Sequence, residues 1–169
     1  MSSAENRLGR KRPPEGTGNV ELLSASMDAT NAGDFDAGLS VFAADATFDA
    51  SSAGLDVFRG VAAIRSYFED WVGAYEQQRF SEWEGEDLGG GVVLALATFE
   101  SRLPGSSVSV TERRAFVCRF CEGSICSVTA DGDFDRARAQ AARLAAQASG
   151  GNSSQRRGGP GLQKPTHGD

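Results

Sequence analysis

Apolar residues recur between residues 19 and 148 in two rhythms, one of three to four residues and one of two, and the switches between them divide the chain. After Asn19, a residue able to cap a helix, Val20, Leu23, Met27 and Thr30 follow at helical spacing. Gly33 can take the positive φ that ends such a helix, and Asp34 can cap a second one that turns Phe35, Leu39 and Phe42 inward. A strand at residues 46–50 follows at once, so two short helices fold at an angle over the sheet that it begins. Beyond a loop holding Gly54 and Gly60, Val61, Ile64, Phe68, Trp71, Val72 and Tyr75 make one stripe, the strongest helical pattern in the chain.

Segments 80–88, 92–103, 108–121 and 124–130 then read as strands, separated by Gly89-Gly90-Gly91, Pro104-Gly105 and Glu122-Gly123. Breaks of that composition predict antiparallel hairpins. The stretch DFDRARAQAARLAAQA predicts a closing helix capped by Asp133. The order ααβαββββα is an α+β chain, a curved antiparallel sheet wrapped around helices. In such a cone the inner apolar faces cannot all meet, so a central pocket is expected.

With 169 residues, 40% of them apolar, the chain suits one domain with a real core, here residues 19–148. Residues 1–18, basic and holding Pro13-Pro14, and residues 149–169, rich in Ser and Gly, cannot bury apolar surface and are predicted to be disordered tails. They are either solvated extensions or tethers to an acidic surface. The only histidine, His167, lies in the second tail. Residues 19–148 carry 10 basic against 20 acidic side chains, a net of −10 that repels nucleic-acid phosphate, so no nucleic-acid partner is expected. No apolar run could cross a bilayer, and the opening residues lack the apolar stretch of a signal peptide; the expected home is the cytoplasm, with no membrane partner. Three cysteines without an export signal, Cys118, Cys121 and Cys126, predict reduced thiols, and nothing in the chain calls for a cofactor.

The segment NAGDFDAGLSVFAADATF followed by FRGVAAIRSYF resembles the opening of the nuclear transport factor 2-like superfamily, above all its ketosteroid isomerase and SnoaL-like branches. The second half, with a hairpin turn before Ile125 and the closing DFDRARAQAA, is similar to SnoaL-like proteins, so the resemblance covers about residues 19–148. It implies the cone fold but no single reaction, because the superfamily holds isomerases, cyclases, dehydratases, epoxide hydrolases and binding proteins. Aligned on residues 31–47, the isomerase's general-base aspartate falls on Ala50 and its oxyanion-binding tyrosine on Ser26, while its second oxyanion donor falls on or near Phe116. An isomerase needs a base to move the proton and donors to hold the enolate, so the resemblance implies that this mechanism is absent. The acid/base aspartate of SnoaL-type cyclases falls on Ala130, beside Asp131; an offset of one residue turns a strand side chain to the opposite face unless a bulge redirects it. Asp131 otherwise reads as a solvated or helix-capping acid. Relatives pair through the outer sheet face, which implies a homodimer, with Ser109, Thr111, Ala115 and Val117 as a possible patch.

No catalytic set is assigned; Glu112, Arg114 and Asp131 are the candidates. On the strand 108–121 the even positions, Glu112, Arg114, Phe116 and Cys118 among them, share a face and make the expected pocket wall. Glu112 and Arg114 could form a rim salt bridge, or Arg114 could anchor a carboxylate or polarise an epoxide or carbonyl oxygen. Phe48, Tyr67, Trp71, Trp83, Phe116 and Val128 are the expected pocket walls, the tryptophans as packing first and ligand contact second. Tyr67 and Tyr75 read as core or rim, with a phenol that could donate to a ligand. Asp49 alternates with Phe48 and should face away from the cavity, and Asp45 belongs to the turn. Cys118-Arg-Phe-Cys121 lies on a strand, where residues three apart point to opposite faces, so buried inert thiols are expected and no metal. Gly89-Gly90-Gly91 is a hairpin turn without the context of a phosphate loop. The function expected is binding of a small apolar molecule; the alternatives are an enzyme of polyketide cyclase, isomerase or epoxide hydrolase type, and a dimeric association module.

Overall fold

The computed structural model describes residues 18–154. The expected basic tail up to Thr17, and the chain from residue 155 onward with His167, lie outside the described residues. The elements are α1 (Asn19–Asn31), α2 (Phe35–Leu39), β1 (Phe42–Asp49), a 3₁₀ turn (Ser51–Ala53), β2 (Val57–Arg59), α3 (Val61–Gly73), β3 (Gln77–Asp87), β4 (Val92–Arg102), β5 (Ser109–Cys121), β6 (Ser124–Asp131) and α4 (Phe134–Ser154).

Local chemistry accounts for most boundaries. Asp34 caps α2 by accepting from the Ala37 N–H, and Asp133 caps α4 by accepting from the Arg136 N–H at 3.0 Å. Asn19 is not a cap; Gly18 holds that position, without a side-chain hydrogen bond. Phe42 belongs to β1 and not to α2, and the loop expected around Gly54 contains the three-residue strand β2. The closing helix continues past Ala148 to Ser154, through glycines that composition alone reads as a break. α1 and α2 cross closely at Gly38, where a Cβ would lie 2.6 Å from Thr30 Oγ1 and 3.2 Å from the Ser26 carbonyl oxygen.

One six-stranded sheet has the order β2-β1-β6-β5-β4-β3. β3 to β6 form consecutive antiparallel hairpins, as the glycine breaks predict, and β2 is antiparallel to β1. β1 runs parallel to β6, so the expected antiparallel sheet is mixed at this one pairing. The cause is topological: α3 and the β3–β5 meander separate these two strands in sequence, and only so long a connection lets neighbours run parallel. Pairing slips between Phe42 and Thr47 in β1, between Phe80 and Glu82 in β3, and at Cys126 in β6. Such bulges bend strands. At the free edge of β3, the Asn31 amide donates to the Phe80 carbonyl at 3.0 Å and accepts from the Phe80 N–H at 2.8 Å, closing part of an edge that could otherwise pair with another chain.

Both faces of the sheet are covered. α1, α2 and α3 pack on one face through Leu23, Met27, Leu39 and Ile64, against Phe48, Phe99 and Ile125. On the other face lies α4, whose Ala137, Ala141 and Ala145 repeat every four residues and meet Val92, Leu94, Ala115 and Val117. β4, covered on both sides, therefore begins with four buried residues in a row, Val92 to Ala95. This corrects the expected dimer patch: Ala115 and Val117 are 0% and 1% exposed because α4 of the same chain occupies that face. A second correction concerns the thiols. Cys126 is the extra residue of the β6 bulge, opposite the end of β5, and it forms a disulfide with Cys121; only Cys118 is free, and it is buried.

Candidate functional site

Between the three helices and the sheet lies a cavity of about 60 Å³, where about 10–15 Å³ suffices for one water. Its walls come from nearly every element. α1 contributes Leu23, Ser26, Met27 and Thr30; α3 adds Tyr67, Phe68 and Trp71; and Phe48, Phe99, Phe116 and Val128 come from the sheet. The aromatic rings touch in sequence: Tyr67 stacks on Phe58 at 4.4 Å and meets Phe48 at 5.5 Å, Phe48 meets Phe116 at 6.4 Å, and Phe99 meets Phe116 at 5.9 Å and Trp71 at 5.1 Å. Offset and edge-on contacts at such distances hold the rings in fixed orientations.

β5 supplies the chemistry by simple alternation. Arg114, Phe116 and Cys118 line the cavity, while Ala115 and Val117 turn to α4. Arg114 sits where β6 has ended, paired on one side only, with Ala97 of β4. Its Nη2 donates to Glu112, which is itself more than half exposed and absent from the cavity wall. Its Nε is buried without a hydrogen-bond partner, a state that costs about 1–3 kcal/mol if nothing fills it. The other polar groups are satisfied or inert. The Ser26 hydroxyl donates to the Gly38 carbonyl at 2.6 Å, and that of Thr30 to the Ser26 carbonyl at 2.8 Å. Burial pushes the Cys118 thiol up to about 12, so it stays protonated. Burial also raises the Tyr67 phenol, with the nearby Arg114 charge acting in the opposite direction.

Of the other expected site residues, Trp83 is on the face covered by α1 to α3 but outside the cavity, packed beside Val20 at the start of α1. Asp131 points away from the cavity. It is 3% exposed, pairs in register with Ala115, and receives two Arg136 hydrogen bonds at 2.6 Å and the Asp133 N–H at 2.9 Å. The Arg136 guanidinium holds its carboxyl below the ordinary range, so this acid organises the start of α4. Asp49 likewise faces away, bound to the Ser51 N–H and hydroxyl, which lower its carboxyl. Tyr75 borders a polar groove on the β3 side, where Arg79 pairs with Glu100 and Arg102 with Glu76. The sequence reading did not name the α1 contribution to the cavity, although Leu23, Met27 and Thr30 already shared a helical stripe. Among the described residues no three His, Cys, Asp or Glu side chains gather as metal ligands, and no helix is long and apolar enough to cross a membrane.

The model of the SnoaL-like domain family matches residues 23–128, more than half of the chain. The chain belongs to the SnoaL-like family. Solved structures share the fold: a candidate polyketide cyclase of Pseudomonas putida at 20% identity (TM-score 0.61, covering 71% of this chain and 95% of that one) and another of Xanthomonas campestris at 22% (TM-score 0.59, 71% and 93%). TerC, co-crystallised with polyporic acid, is 18% identical with a TM-score of 0.58, covering 74% of this chain and 98% of that one. A search of curated proteins finds no match. Within this SnoaL-like domain, Ser26 and Phe116 line the cavity, and Ala50 is fully buried in the adjoining core.

Proposed function

We propose that this SnoaL-like domain binds a small, largely apolar molecule in the aromatic cavity and does not move protons on it. One observation carries the reading: among the described residues, no carboxylate or histidine lines the cavity, whose side chains are aromatic and aliphatic apart from Arg114, the Tyr67 phenol, Cys118 and two hydroxyls. Proton transfer near neutral pH needs a group that titrates there. The Cys118 thiol, pushed up to about 12, does not, and burial moves the Tyr67 phenol further from that range. An apolar ring, by contrast, gains from every wall it touches. The fold relative co-crystallised with polyporic acid is in keeping with small-molecule binding.

The test is to titrate neutral 2-naphthamide calorimetrically into the protein and into Ala95→Phe, which fills the cavity from β4. Uptake by the first and its loss in the second is the expected pair of results. A folded wild-type protein that takes up no such ring would overturn the reading.

The enzyme reading keeps one specific support, Arg114, which could polarise a carbonyl or epoxide oxygen from within the cavity.

A further inference from the structure

We infer that Arg114 anchors an anionic oxygen at the end of the cavity, so that the ligand is a flat aromatic acid whose ring lies among Phe48, Phe116 and Tyr67. This rests on the binding reading above and adds the ligand's chemical class.

Among the described residues, Arg114 is the one cationic side chain on the cavity wall. Its guanidinium is shared unequally: Nη2 is held by the exposed Glu112, while Nε is buried and donates to no described protein group. A buried N–H of a permanent cation without a protein acceptor is a place for an acceptor that carries charge. Arg102 also has a buried Nε without a partner. It, however, sits in the polar groove on the β3 side with Glu76 and Glu100, where acceptors are already at hand. Around Arg114, the described residues of the cavity wall contribute no acceptor of negative charge.

Position and shape fit the same ligand. Arg114 lies beyond the last residue of β6, with its side chain only 18% exposed, so a charged group there can keep part of its hydration while the ring enters the dry interior. The Tyr67 ring, close enough for Arg114 to influence its phenol, continues the aromatic wall up to this point. Glu112 then acts as a competitor that holds the guanidinium until the ligand's oxygen arrives.

Carboxylates and ionised enols share this chemistry, and ring-matched probes separate them: 2-naphthoate, the ionised 2-hydroxy-1,4-naphthoquinone and neutral 2-naphthamide, each titrated calorimetrically into the full chain. The expected result is that at least one anion binds about tenfold or more tighter than the amide, and the order of the two anions tells carboxylate from enolate. Arg114→Met should abolish the preference, so that this variant binds the anions no more tightly than it binds the amide. Glu112→Gln, at an exposed position that folding tolerates, should tighten the anions about threefold or more by removing the competitor. Equal binding of anions and amide, or anion affinity indifferent to Glu112→Gln, overturns the anchor and leaves the apolar cavity standing. If none of the three probes binds, both this inference and the reading beneath it fall.

Discussion

At the scale of single residues, Asp131 shows what a carboxylate does here when it is not catalytic. Its partner Arg136 depresses its ionisation below that of a free aspartate, at about 3.9. A lowered folded value means the ionised form stabilises the fold above the unfolded value, and that contribution fades as pH falls through the lower, folded one. Asp131→Asn should therefore cost about 1–2 kcal/mol near neutral pH, Arg136 being largely exposed. The deficit in melting temperature should shrink as the pH drops below about 4, toward the lower folded value. A deficit that is constant from pH 7 down to acid unfolding would show that the ion pair contributes nothing. The same residue marks how far sequence could reach. Alternation along β5 and β6 was legible, and it placed Arg114, Phe116 and Val128 on the cavity wall and Asp131 on the other side. Trp83, expected on the wall, lies outside the cavity, because its place depends on where α1 starts and on the bulge at Ser81, neither of which has a residue pattern of its own.

Among the elements, hairpins were the most readable, since Gly89-Gly90-Gly91 and Glu122-Gly123 fix both where strands end and how they pair. Gly91 shows the demand most sharply. Its φ is +75°, a Cβ would lie 2.5 Å from the Phe120 carbonyl oxygen, and its own carbonyl accepts from the Phe120 N–H at 2.6 Å. Gly91→Ala combines a disfavoured backbone with a clash against main chain that cannot step aside, and should lower stability by about 2 kcal/mol or more by chemical denaturation. A change within about 0.5 kcal/mol would mean that this turn adapts. What could not be read was β2, whose three residues are too few to show a period, and the Cys121–Cys126 bond. The expectation of reduced thiols rested on three cysteines without an export signal and on Cys118 and Cys121 facing opposite ways along one strand, whereas the pairing that forms runs across the hairpin and needs the bulge at Cys126. Alkylation of denatured, unreduced protein followed by mass measurement should label one cysteine, Cys118; three labels would remove the crosslink.

For the whole molecule, the decisive element is α4. An open sheet has two faces, and here helices α1 to α3 enclose the cavity on one while α4 seals the other with a seam of alanines small enough to bring the helix against Leu94, Ala115 and Val117. Of the patch expected to pair two chains, Ala115 and Val117 are thus used within one, while Ser109 and Thr111 are exposed. Ala141, fully buried in that seam, is the place to test the consequence. Ala141→Asp puts an unpaired charge between helix and sheet, a change that costs about 3–5 kcal/mol where no partner is available. The cheaper response is for α4 to lift away while the cavity side of the domain stays folded, because the two apolar clusters lie on opposite faces. Light scattering should then report a particle heavier than the wild type at equal concentration, as the uncovered Val92, Leu94 and Val117 seek another apolar surface, and uptake of an aromatic probe by the cavity should persist. Unchanged mass and unchanged melting would show that α4 is dispensable as a cover. Loss of cavity binding together with α4 would show instead that the two faces unfold as one unit.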